Sequence, residues 1–187
     1  MSWSIKSNVS ACQTKPDTFK LLNQIKWFCR KYTVSNMSAL NNTLDYSSYT
    51  SESPMKVLLV EDSVLIRDTI VDILSGAKEL HIDAIAATEN KAIELLNTQQ
   101  FDMLLVDIEL AQGNGFEVIK HALKESYAFK QPIFMMLTNH AHPQYRSLAK
   151  NLGVKYFFDK SMDFDLAIET IEHEASQFYT GKSSTQH

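Results

Sequence analysis

"FDMLLVDIELAQGNGFEVI" occupies Phe101–Ile119. Four apolar residues, Met103 to Val106, run straight into an acid, Asp107. Two glycines follow, Gly113 and Gly115, and then Phe116, Ile119 and Leu123 recur at helical spacing. The apolar run is too short for a helix and reads as a buried strand. The glycines suit the turn ahead of the next helix rather than a phosphate-binding loop. The repeating unit is therefore strand, turn and helix, with a carboxylate just past the strand.

The same unit recurs on both sides. "KVLLVE", beginning at Lys56, reads as a first strand. Ser63 to Ser75 then places Ile66, Ile70, Ile73 and Leu74 on one helical face, with Gly76 as a stop. "HIDAIAA" is a second strand, and Ala92, Ile93 and Leu96 mark a second helix. "IFMML" is a fourth strand, and a fourth helix spans roughly Gln144 to Leu152, ending at Gly153. "YFF" is a short fifth strand, and Phe164, Ala167, Ile168 and Ile171 stripe a fifth helix. Five alternations without a hairpin signal predict an α/β fold, a (βα)5 doubly wound parallel sheet with helices on both faces.

Ligands of such sheets bind beyond the carboxyl ends of the strands. Glu61 and Asp62 follow the first strand, Asp107 the third and Thr138 the fourth; Lys160 lies just past the fifth, after Asp159. In a flavodoxin-like sheet of order 2-1-3-4-5, strands one and three are neighbours, and Glu61, Asp62 and Asp107 meet. Three bare carboxylates that close repel one another and push at least one pKa upward. Mg²⁺ removes the conflict, because it prefers oxygen ligands and keeps several waters. A carboxylate beside it can attack phosphorus, Lys160 adds positive charge, and the Thr138 hydroxyl can donate to a phosphoryl oxygen.

Each residue alone has a plainer reading. Glu61 and Asp62 could open a helix. Asp107 could start a loop, Thr138 could sit in a turn, and Lys160 could be solvated. Their joint placement at the strand ends favours the chemical reading. His140 and His142 lie close together but have no further His or Cys cluster, so they read as solvated loop residues.

The stretches "VLLVEDSVLIR", "MLLVDIELAQGNGFEVI", "MMLTNHA" and "YFFDKS" resemble the response-regulator receiver domain, similar to the single-domain bacterial chemotaxis regulator. The resemblance spans residues 54–178, leaving 179–187 as a tail. It implies that Asp107 accepts a phosphoryl group from a phosphohistidine on a sensor histidine kinase or a histidine phosphotransfer protein. Asp62 and Asp107 would bind Mg²⁺ directly, the Glu109 backbone carbonyl would be a third ligand, and Glu61 would act through water. Thr138 and Phe157 would be the switch pair. Their movement would change the surface of the fourth helix, fifth strand and fifth helix, which could also serve a homodimer. Glu109 and His140 would border the pocket and tune acyl-phosphate hydrolysis. Ser161 stands where many members have Pro, often after a cis bond. Asn139 replaces a small residue, and Glu61 replaces the commoner Asp.

Two other classes were weighed against this. Haloacid-dehalogenase-type phosphatases also use Asp, Thr, Lys and Mg²⁺ on such a sheet, but their nucleophile comes first in the chain. A pseudo-receiver would serve only docking or dimerisation. The receiver reading implies no enzyme beyond the domain's own phosphorylation and dephosphorylation. After Ser176 only "QFYTGKSSTQH" follows, so output is expected through protein contacts or onward phosphoryl transfer, without direct contact to nucleic acid.

Bulk properties agree with one globular domain. The 187 residues are 44% hydrophobic and 21% charged, with a formal charge of -4, which gives no electrostatic signature of nucleic-acid binding. Cys12 and Cys29 both precede residue 54, so the body has no disulfide framework. No signal peptide or membrane span is evident, and a cytoplasmic protein is expected. Residues 1–53 carry six Lys or Arg against three acids and include the Ser/Asn-rich "NMSALNNTLDYSSYTSES". They read as a flexible extension. Leu21, Ile25, Phe28 and Tyr32 also admit a short basic amphipathic helix over 17–32. Met55 would be a natural start without the extension.

Overall fold

The computed structural model of the chain describes residues 53–183. The extension expected over 1–53, including its amphipathic stretch at 17–32, lies outside the described residues except for Ser53. The elements are β1 (Met55–Val60), α1 (Val64–Leu74), β2 (Leu80–Ala86), α2 (Glu89–Thr98), β3 (Met103–Val106), α3 (Gly115–Ala122), β4 (Ile133–Thr138), α4 (Pro143–Asn151), β5 (Tyr156–Asp159) and α5 (Phe164–Ser183). The strands are parallel in the order β2-β1-β3-β4-β5, the expected topology. Helix α5 runs on past Phe178, where the domain was expected to end. Among the described residues, no helix is long and apolar enough to cross a membrane.

Side chains alternate across each strand, so the sheet separates two apolar layers. Val57 and Leu59 of β1, Met135 and Leu137 of β4, and the inner stripes of α1 and α5 form one layer. Leu58, Val60, Leu104, Val106, Phe134 and Met136 face the other, against α2, α3 and α4. The expected α3 stripe differs at one end. Leu123 is exposed at the C-cap, and Ala122 and Val118 are buried instead.

Local chemistry sets the helix starts. Ser63, Thr88 and Asn114 each accept a backbone N–H bond at the head of α1, α2 and α3. Helix α4 has no such side-chain cap and opens with Pro143, whose missing N–H costs nothing there. Edge strand β2 has a register irregularity opposite Val57 and Leu58, and Asp83 lies 3.8 Å from Lys56. Charge and irregularity on an edge discourage pairing with other chains.

Gly115 is fixed by close approach. Its N–H bonds the Ile108 carbonyl at 2.9 Å, and a Cβ there would lie 1.9 Å from the Asp107 carbonyl oxygen. Gly113 has φ 85, where side chains are strained. We predict that Gly115→Ala lowers stability by at least about 2 kcal/mol in chemical denaturation. Gly76→Ala meets nothing within 4 Å and should leave stability equal or slightly higher.

Candidate functional site

The site grows out of strand register. Val60 pairs with Val106, and the Asp107 N–H donates to the Val60 carbonyl at 2.9 Å. Glu61 and Asp107 therefore leave adjacent strands side by side. Asp62 follows at the surface, and carboxylate oxygens of Glu61, Asp62 and Asp107 lie within 4.8 Å of one another. Thr138 ends β4 opposite Asp159, and the Lys160 N–H donates to the Thr138 carbonyl at 2.9 Å. That bond delivers Lys160 to the same sheet edge.

Lys160 is 2% exposed, and its Nζ lies 2.5 Å from both Glu61 Oε2 and Asp107 Oδ2. Burial alone would lower its pKa, but the two carboxylates outweigh this and raise it. Glu61 is raised from 4.5 to about 7, chiefly by burial and further by the Asp107 charge; Lys160 opposes the rise. Its Oε1 also accepts the Ser63 N–H at 3.2 Å. One lysine thus faces more acid than it neutralises.

The donor set suits a hard divalent cation. Asp107 Oδ1 is buried and has no hydrogen-bond partner. An unpaired buried carboxylate oxygen is costly, and an oxygen-ligated cation would satisfy it.

The remaining predicted residues are placed as follows. Thr138 is fully buried, and its Oγ1 accepts the His140 N–H at 3.1 Å. Glu109 is mostly exposed, and its Oε2 meets His140 Nε2 at 2.7 Å. His140 is therefore paired rather than simply solvated; the plainer reading holds for exposed His142. Phe157 does not join the acids. It lies half-buried on β5 with the Arg146 guanidinium 4.8 Å from its ring centre. Its strand partner is Met136, so Phe157 shares a sheet face with Met136 and, two residues on, Thr138. Asn139 is exposed. The described residues contain no cis peptide, including the bond before Ser161, whose N–H donates to Asp159 Oδ1 at 2.7 Å.

Two contacts were not foreseen. Arg146 on α4 reaches Phe157, and Arg67 donates to the Glu61 carbonyl at 3.3 Å. Both side chains cross from a helix to another segment, and no spacing in the sequence marks such a reach.

Comparison with known proteins places this geometry in context. The family model for the response regulator receiver domain matches residues 57–172. The sensory transduction protein LytT of Bacillus cereus is 30% identical over 123 residues, covering 66% of this chain and 48% of that protein. The chain spans about half the length of LytT and of the transcriptional regulatory protein DegU of Brevibacillus brevis. Among solved structures, the phosphorylated cyanobacterial phytochrome response regulator RcpA aligns with a TM-score of 0.56 at 19% identity, over 70% of this chain and 96% of that one. The non-phosphorylated HemR receiver domain of Leptospira biflexa aligns with a TM-score of 0.53 at 27% identity, over 63% and 94%.

The raised pKa of Glu61 has a consequence for stability. Without divalent cation, the native state keeps this proton over a range where the unfolded chain has released it. The resulting stabilisation is complete below about 4.5 and is lost as pH rises through about 7. Glu61→Gln should flatten that slope in denaturation midpoints measured across the same interval. An unchanged slope would assign the proton to another group.

Proposed function

The chain belongs to the response regulator receiver family of two-component signalling, and on that premise we propose that Asp107 is its phospho-acceptor. The donor would be a phosphohistidine on a sensor histidine kinase or a histidine phosphotransfer protein. The observation that carries the reading is the buried Asp107 carboxylate, with one oxygen on Lys160 and the other unpaired beside Glu61 and Asp62.

Mg²⁺ would be held by Asp62, Asp107 and the Glu109 backbone carbonyl, with Glu61 acting through water. When bound, the ion supplies positive charge to the phosphoryl oxygens. Asp107 forms an O–P bond while the N–P bond of phosphohistidine breaks, and the electron pair stays on the imidazole nitrogen. Lys160 is already positioned to neutralise charge as the group arrives. Thr138 accepts from the His140 N–H, which leaves its own O–H to donate to a phosphoryl oxygen. As Thr138 moves toward the new anion, the ring of Phe157 on the same sheet face follows into the space it leaves. The surface of α4, β5 and α5 then changes, and with it the contacts made there, with a target or with a second copy of the chain.

No turnover of an external substrate is part of this reading. A haloacid-dehalogenase-type phosphatase would place its nucleophile on the first strand, whereas Asp107 follows the third. The cysteine-free body is compatible with the reducing cytoplasm, where we place the protein.

Incubation with acetyl phosphate and Mg²⁺ should add the mass of one phosphoryl group, and Asp107→Asn should abolish the gain. A gain that survives in Asp107→Asn would rule out Asp107. No gain on the wild type, under conditions that label an active receiver, would favour a docking pseudo-receiver. The Glu109–His140 pair, two residues past Asp107 and Thr138, would limit the access of water, so His140→Ala should hydrolyse its acyl phosphate severalfold faster, read by the decay of that mass.

A further inference from the structure

Arg146 makes three contacts that converge on one place. Its guanidinium carbon lies 4.8 Å from the centre of the Phe157 ring. Its Nη1 donates to the Phe157 carbonyl at 3.0 Å. Its Nη2 lies 4.0 Å from Asp163 Oδ2. Asp163 is no free acid. The same oxygen accepts the Asp159 N–H at 3.1 Å, and the Asp163 carbonyl accepts from Ala167 in the first turn of α5. One side chain of α4 thus ties together the ring and backbone of β5 and the loop that opens α5.

The chemistry suits a releasable hold. A guanidinium is flat, permanently charged and able to lie over an aromatic face while donating in its own plane. Arg146 is 45% exposed, so each contact is weakened by water and can be broken without stranding a buried charge. On its other side the Phe157 ring packs against the apolar layer.

We propose that Arg146 is a positioning residue for the switch. It holds Phe157 in its half-buried place by stacking on the ring, and inward movement of the ring gives up that stack. The inference rests on Phe157 being the aromatic that moves upon phosphorylation. A residue that stabilises only the resting arrangement makes the active arrangement rarer and raises the concentration of effector needed to reach it.

The test uses the full chain with a fluorinated phenylalanine at position 157, followed by fluorine NMR. Beryllofluoride with Mg²⁺ stands in for the phosphoryl group. The wild type should show one ring environment that converts to a second on titration. Arg146→Ala should show part of the second environment before any beryllofluoride and reach half-saturation at about threefold lower concentration. Arg146→Lys keeps the charge but loses the flat stack and the paired donors, so it should fall between. If Arg146→Ala matches the wild type in both readouts, the hold does not exist, even if its melting temperature drops. If the wild-type ring ignores beryllofluoride, the switch reading fails first and the role of Arg146 fails with it.

Discussion

A buried ammonium group stands 2.5 Å from each of two carboxylates that leave neighbouring strands. Lys160 can occupy that position only because β1, β3 and β4 end at the same edge and the Lys160 N–H is fastened to the Thr138 carbonyl. The arrangement is uneven by design of the chain: Glu61, Asp62 and Asp107 bring three acids to one lysine. Burial, with the Asp107 charge beside it, leaves Glu61 difficult to ionise, and one oxygen of Asp107 has no partner. Such a site is electrostatically incomplete as it stands. The excess of negative charge and the unsatisfied oxygen are what a hard divalent cation would neutralise.

The sheet divides the labour. Parity along β4 and β5 puts Thr138, Met136 and Phe157 on the face covered by α2, α3 and α4. The opposite layer, under α1 and α5, is a continuous apolar core from Met55 to Ala175. Gly115 locks the first turn of α3 against the backbone of Asp107, so β3 cannot shift without that helix. Asp107 is thus pinned by the close approach of α3, while the β4–β5 edge ends in a four-residue strand with the half-exposed Arg146 over it. A fixed carboxylate beside a looser edge is an arrangement in which a local change can be passed to a distant surface.

Much of this was legible in the sequence. Short apolar runs such as Met103–Val106 cannot form helices, and their alternation with amphipathic stretches leaves few topologies. The acids, Thr138 and Lys160 were visible because strand ends are sites that a parallel sheet brings together. What stayed hidden depends on side-chain reach. The His140–Glu109 contact joins two loops, and only their positions could be read beforehand. Arg146 looks like any polar residue on a helix surface until the orientation of α4 over β5 is known. Leu123, apolar and in step with Phe116 and Ile119, is exposed because it falls at the cap of α3, where Ala122 already closes the layer.

The separation of the two layers also has a practical side. Helix α5 packs on the face opposite Thr138 and Phe157, and it is tied to β5 at two places: at its opening through Asp163, which accepts the Asp159 N–H, and farther along through Glu174, which accepts from the Tyr156 hydroxyl at 2.7 Å and pairs with Lys155 at 2.8 Å. Cargo appended beyond its far end, whether a fluorophore, an affinity handle or another folded module, would hang from a helix fastened to β5 through Glu174. Such cargo would be mechanically linked to that strand rather than isolated from it.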